Sequence, residues 1–225
     1  RTAARADFHQ LRRWPAALYS TLQWPRLRRW EAAVCRTADV VVCVSEQDAS
    51  ALRKIAPRCH PVVVPNGLRV AEYPYMPEAG PGPELEHAGA RTARLAVFTG
   101  KMDYRPNVDA ADWFVREILP AIHAVNPTAQ FAIVGQNPPE RLRAHADTLG
   151  VLVVGEVGDI RPYIAGAGVY VMPLRMGGGT RFKMLEAMAL GVPVVSTRLG
   201  AEGFPVVHGR ELLIADSADA FARAV

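Results

Sequence analysis

The chain has 225 residues, half of them hydrophobic and 21% charged, with a formal net charge of +4 and three cysteines. This length holds one large domain or two small ones, with a core that needs no disulfide staples. It excludes a helical membrane span, because no run approaches the ~18 apolar residues that one requires. Cys35, Cys43 and Cys59 are odd in number and lack metal-ligand spacing, which favours a reducing compartment. The six histidines show no H-x-E or H-E-x-x-H spacing, so no metal site is expected.

Charge is unevenly placed. Residues 1–36 carry Arg1, Arg5, Arg12, Arg13, Arg26, Arg28, Arg29 and Arg36 against Asp7 and Glu31, with Trp14, Trp24 and Trp30 among them. The stretch reads as helices broken at Pro15 and Pro25. It suits a solvated helical face beside a further domain, or peripheral contact with an anionic membrane surface. Nucleic acid is not expected as a partner. Asp39 to Val44 is an apolar run of strand length. Ser45, with Asp48 three residues on, has the capping-box pattern that opens a helix through Ala51 and Leu52. Pro61 to Val64 is a second short strand, followed by a turn at Pro65, Asn66 and Gly67. Proline and glycine then cluster in residues 74–92, which read as a linker between residues 1–73 and 93–225.

Strands and helices alternate after the linker. Leu95 to Thr99, Phe131 to Val134, Val151 to Val154, Val169 to Met172 and Val192 to Val195 are strand-like runs. Between them lie a loop from Gly100 to Asn107 and three predicted helices: Val108 to Val125, Pro139 to Leu149 and Gly158 to Ala165. The first helix carries Ala111, Phe114, Val115, Ile118, Leu119 and Ile122 on its apolar face. This alternation predicts a Rossmann-like parallel sheet with helices on both faces. Ligands of such sheets bind outside the carboxyl ends of the strands, where Gly100, Gly135, Gly155 and Gly177 to Gly179 fall.

Pro173 to Thr197 then reads as glycine turn, helix, glycine stop and strand. Thr180 is the expected N-cap and Gly191 the C′ glycine. Phe182, Leu185, Met188 and Ala189 mark a core face, and Lys183 and Glu186 are neighbours three residues apart. A glycine turn at a helix N-terminus suits a phosphate. An ordinary strand-to-helix turn with a surface Lys–Glu pair fits the same residues. The chain begins at Arg1 and ends at Val225 within a helix predicted from Ser217, so a piece of a longer protein is expected.

The run GGGTRFKMLEAMALGVPVVST resembles the donor-site segment of the family-4-type, group 1 glycosyltransferases with the GT-B fold. DVVVCVSE followed by VVVPNG is similar to the last strand-helix-strand unit of the N-terminal domain in that family, and TGKMDYRPNVDAADWF resembles a subgroup associated with bacterial exopolysaccharide assembly. The resemblance extends over nearly all of residues 31–225. It implies that residues 1–73 are the C-terminal part of an acceptor-side lobe and 93–225 a truncated nucleotide-sugar-binding lobe. The family has a Glu-x7-Glu pair that holds donor sugar and ribose; Glu186 matches the second glutamate, and Gly178 stands at the first. It also has a Gly-Arg followed by a Lys, where this chain has Gly100, Lys101 and, nearby, Arg105.

The residues thus expected at the donor are Gly100, Lys101 and Arg105 on the diphosphate, and Glu156 and Val157 on the nucleobase. Gly177, Gly178, Gly179 and Thr180 form the turn, and Glu186 takes the ribose. Arg175 and Lys183 are placed to neutralise the pyrophosphate as it departs. Lys101, Lys183 and Glu186 are the expected catalytic residues. The implied activity is a cytoplasmic transfer, with retained stereochemistry and no cofactor, from a UDP- or GDP-sugar to a saccharide or lipid-linked acceptor. Two rivals share this sequence evidence: a nucleotide-sugar epimerase of the same architecture and a non-catalytic nucleotide-sugar-binding module.

Overall fold

The structure is a computed structural model that describes residues 14–76, 79–87, 89 and 92–225. It divides into two compact units: residues up to Asn66 together with Met176–Thr180, and Gly67–Arg175 with Arg181–Val225. The described residues of 67–92, read from sequence as the end of one lobe and a linker, therefore group with the second unit. A short helix there, Pro83–His87, explains part of this, because its Leu85 is fully buried in the core of that unit.

The first unit opens with helix α1, Trp14–Thr37, and residues 1–13 lie outside the described residues. The helix runs through Pro25 and is not broken there as expected. Pro25 removes one backbone hydrogen bond, and the ladder on either side carries the helix across. Pro15 sits in the first turn, where a helix needs no N–H bond. Strand β1, Val42–Cys43, and strand β2, Val62–Val63, pair in parallel, with Val42 opposite Val62. Both are shorter than their apolar runs. Val40, Val42, Val62 and Val64 are exposed, since two strands alone cannot cover their faces. Between them lies α2, Glu46–Ile55, capped as expected: the Ser45 hydroxyl accepts the Asp48 N–H at 3.1 Å and donates to its carboxylate at 2.7 Å. The core is small, made by Ala32, Ala56 and Cys59 with Cys35, Val41 and Ile55 packed against it.

The second unit is a six-stranded, wholly parallel sheet. Its strands are β3 Leu95–Thr99, β4 Gln130–Val134, β5 Val151–Gly155, β6 Val169–Met172, β7 Val194–Ser196 and β8 Leu213–Ile214. The order across the sheet is β5-β4-β3-β6-β7-β8. The chain thus winds outward from β3 in one direction and then returns to wind from β6 in the other. The switch point lies between β3 and β6, where such sheets open a crevice at the strand carboxyl ends.

Continuous apolar runs predict strands buried on both faces, and β3 is buried along its whole length. The Pro83–His87 helix is α3. One long helix covers the sheet: α4 Arg105–Trp113, a π turn Phe114–Ile118, and α5 Leu119–His123. It starts at Arg105, inside the expected loop, because Pro106 favours a first helical turn. All six residues of its expected apolar face are buried. Phe114 stacks on Phe131 with ring centroids 4.1 Å apart and meets Phe221 edge-on at 6.2 Å. Phe221 belongs to the last helix, α9 Ala218–Ala224, whose cap Ser217 accepts the Ala220 N–H at 3.3 Å. The expected helix over Pro139 to Leu149 is α6 Glu140–Arg143 with a 3-10 turn Ala144–Asp147, and that over Gly158 to Ala165 is α7 Arg161–Ala165. Asp159 nonetheless accepts the Arg161 N–H at 2.9 Å, as a cap would.

The motif helix is α8, Phe182–Ala189. Its N-cap position is Arg181 and not Thr180. Its buried residues are Met184 and Ala187, followed by the cap residue Leu190, while Phe182 is 51% exposed. The core face is therefore rotated from the expected one. The helix is apolar nearly all round, so two faces have the same periodicity, and contact with the sheet selects between them. The stop is as expected: Gly191 at φ 76° returns its N–H to Met188, and Val192 returns its own to Ala187. These two bonds make a Schellman motif.

Candidate functional site

The loops at the carboxyl ends of β3, β4 and β5 are tied edge to edge. The Gly100 N–H donates to the Val134 carbonyl at 3.0 Å, and the Gly135 N–H to the Gly155 carbonyl at 2.6 Å. A Cβ at Gly135 would overlap the Gly100 carbonyl oxygen, and φ there is 147°, so only glycine lets the two backbones approach in this way. The Met102 N–H reaches the Gln136 carbonyl at 2.7 Å. Side chains continue the ties. Gln136 donates to the exposed Glu156 carboxylate at 2.8 Å, and Asn137, held at φ 52°, donates to Asp103 at 3.4 Å. Lys101 is exposed, and its ammonium stands 3.6 Å from Asp103. Val157 is half-buried against the core. Arg105 is the first residue of α4.

Lys183 comes to this edge from α8. Its ammonium donates to the Thr99 carbonyl at 2.8 Å and to Asn107 Oδ1 at 2.9 Å, and lies 4.3 Å from the centre of the Phe98 ring. Asn107 in turn donates from Nδ2 to the Lys101 carbonyl at 2.9 Å. A Cβ at Gly100 would stand 2.8 Å from Asn107 Nδ2 and 3.0 Å from Lys183 Nζ. Burial pushes the Lys183 ammonium down to about 7; the Arg181 charge adds to this and Glu186 opposes it. The carbonyl acceptors and the ring face favour the ammonium form.

Glu186 sits one turn further along α8 and does not depend on Lys183 for a partner. The Tyr73 hydroxyl donates to its Oε1 at 2.9 Å, and this bond, with burial, raises the Tyr73 pKa. A carboxylate with one such bond keeps acceptor sites for further hydroxyls. Arg175 is engaged elsewhere. It forms a two-pronged ion pair with Asp109, at 3.1 and 2.9 Å, and stacks over Trp113 at 4.9 Å. Deeper in the sheet the Thr99 and Tyr170 hydroxyls share a hydrogen bond of 2.6 Å between β3 and β6, and burial drives the Tyr170 pKa up.

Gly177, Gly178, Gly179 and Thr180 group with the first unit, where the Thr180 hydroxyl accepts a hydrogen bond from the Asn66 amide. The second unit itself brings together Gly100, Lys101, Glu156 and Lys183. Sequence reasoning missed Asn107, Tyr73 and Gln136. Asn107 had a readable signal: it is polar yet lies on the apolar stripe of its helix, in line with Ala111, Phe114 and Ile118. Tyr73, at the edge of the proline-rich stretch, had none.

A twisted parallel sheet wrapped by helices, with glycine loops and charged side chains gathered at the carboxyl edge of its switch point, defines a Rossmann-like unit of the GT-B type. The family model of the glycosyl transferases group 1 matches residues 93–225, and that of glycosyltransferase family 4 matches residues 6–72. The chain belongs to the group 1 glycosyl transferases. The phosphatidyl-myo-inositol mannosyltransferase of Mycolicibacterium smegmatis is 30% identical over 170 residues, which are 73% of this chain and 42% of that protein. An uncharacterised 44.6 kDa protein of the Klebsiella pneumoniae cps region is 24% identical over 135 residues, 56% of this chain and 35% of the other. Among solved structures, the sucrose-phosphate synthase of Thermosynechococcus elongatus superposes with a TM-score of 0.66 at 24% identity, covering 88% of this chain and 50% of that one. The Anabaena HepE protein in complex with UDP and glucose gives 0.64 at 16% identity, covering 85% and 53%. The chain thus spans half or less of most of these proteins, and little more than half of HepE.

Proposed function

We propose that the protein is a retaining, metal-independent glycosyltransferase that moves a sugar from a UDP- or GDP-sugar to a saccharide or lipid-linked acceptor in glycan assembly. The donor nucleotide lies along the carboxyl edge of the second unit. Its diphosphate faces the Gly100–Lys101 loop, its base meets the Glu156–Val157 loop, and its ribose hydroxyls are taken by Glu186. The second unit is then the donor lobe, and the first unit carries part of the acceptor side. The protein works in the cytoplasm, with the basic stretch 1–36 resting on the membrane. Support comes from the family, from the mannosyltransferase name of one relative and from the UDP-sugar complexes of HepE. The observation that carries the reading is Glu186. It stands near the switch point, with one oxygen held by Tyr73 and acceptor capacity to spare. No cofactor enters the reaction; the chain's residues bind and orient the nucleotide and stabilise its charge as it leaves.

Calorimetric titration with UDP, GDP and their sugars tests the reading. One nucleotide class binds, and Glu186→Gln weakens it by roughly 1–3 kcal/mol, the cost of donor hydroxyls left poorly paired in a desolvated site. Binding that ignores Glu186→Gln, or no binding in any titration, refutes it.

A further inference from the structure

We propose that Lys183 and Asn107 form a clasp that positions the Gly100–Lys101 loop, and that Lys183 serves the donor through this loop instead of touching the phosphates. The inference rests on the donor-site reading above and assigns two residues within it. Lys183 Nζ spends two of its donors on protein acceptors, the Thr99 carbonyl and Asn107 Oδ1, and its remaining side lies toward the Phe98 ring. Asn107 uses both ends of its amide: Oδ1 accepts from Lys183, and Nδ2 donates to the Lys101 carbonyl. A continuous path therefore runs from α8 through α4 to the backbone of the loop. Thr99 immediately precedes Gly100, so the same ammonium grips the loop at its root while Asn107 grips it two residues on, at the Lys101 carbonyl.

The space around the clasp is closed. Any side chain at Gly100 would press on both Asn107 and Lys183, so the loop backbone is fitted against these two groups. The charged groups acting on Lys183 are Arg181 and Glu186, both at or on its own helix; from β3 it meets a carbonyl and a ring, and from α4 an uncharged amide. A cation held between neutral acceptors in a buried setting fixes geometry well, because charge-assisted hydrogen bonds are short and strong there. A lysine meant for a diphosphate needs no such set of acceptors.

The test uses Lys183→Met, Asn107→Leu and the double variant of the whole chain. Amide exchange is read without ligand, below pH 7 where Lys183 holds its proton, at Met102 and Tyr104, whose N–H groups hold the loop. Each single variant speeds both amides about tenfold, the factor of one lost charge-assisted bond, and the double variant goes no faster. Unchanged exchange in both singles overturns the clasp. Affinity for UDP is then measured on the folded variants. The singles lose equal factors, about tenfold each, and the double loses no more. A role confined to stability would lower Tm and leave UDP affinity where it was. A large loss in Lys183→Met alone, or losses that add, overturns the proposal and puts Lys183 on the diphosphate. Wild-type chain that binds neither UDP nor GDP strikes down the donor site itself, and the exchange measurement still judges the clasp.

Discussion

Replacing Lys183 with Met should change how the stability of the fold responds to pH. Burial brings the Lys183 ammonium from the ordinary 10.5 to about 7. Between those values the unfolded chain holds a proton that the folded chain has released, so stability rises with pH across this window. The sign is that of a depressed folded pKa: the contribution is full above 10.5 and is lost as pH falls through about 7. Each unit corresponds to about 1.36 kcal/mol, so the whole window is worth roughly 4–5 kcal/mol and the step from pH 7 to 9 roughly 2–3 kcal/mol. Urea unfolding at pH 7, 8 and 9 reads it as the difference between wild type and Lys183→Met. Tyr73 and Cys35, whose pKa values are also raised, titrate in both proteins and cancel in that difference. The variant should be flat relative to wild type at every other titrating group and lack the rise. Equal slopes in the two proteins over pH 7 to 9 would refute the lowered pKa of this buried lysine.

Two further perturbations test the frame that holds the site. Phe114→Ala removes the ring stacked on Phe131 and edge-on to Phe221, and should cost roughly 3–5 kcal/mol in urea unfolding, with a loss under 1 kcal/mol arguing against this cluster as the core. Gly135→Ala sets a methyl against the Gly100 carbonyl at a positive φ, and should cost roughly 2–4 kcal/mol and weaken UDP binding in calorimetry; a neutral effect on both would show that the β3 and β4 ends are not fitted to each other.

Much of the second unit was legible because its strands are buried on both faces. Val169 to Met172 and Leu95 to Thr99 stand as unbroken apolar runs, and the structure keeps their bounds. Leu213–Ile214 escaped notice, since two residues are too few for any periodicity. The same weakness worked in reverse in the first unit, where apolar runs of four to six residues gave strands of two. On α8 the sequence offered two equivalent apolar faces, and only the sheet decided between them. The candidate site was legible only as a set of residue types: glycine loops, Lys101, Lys183 and Glu186. Its wiring was not. The partners of Lys183 lie 84 and 76 positions away, and the partner of Glu186 lies 113 away. Hydrogen bonds between such distant positions are set by topology and leave no local pattern.

The π turn in the long helix has a consequence of another kind. Leu119 returns its N–H to the Phe114 carbonyl, one residue wider than an α turn, and Pro120 follows at once. Proline has no N–H to give the Arg116 carbonyl, and its ring would crowd that carbonyl in a regular α-helix. The wide turn relieves both conflicts by taking in one extra residue. Extra residue and proline are thus matched in geometry. Losing either one alone leaves a mismatch between the front of the helix, which carries Asn107, and the rear, which carries Ile118 and Leu119. Losing both together restores a plain helix in phase. Relatives whose helix lacks the proline should therefore be one residue shorter across this segment, and the two changes should be inherited as a unit.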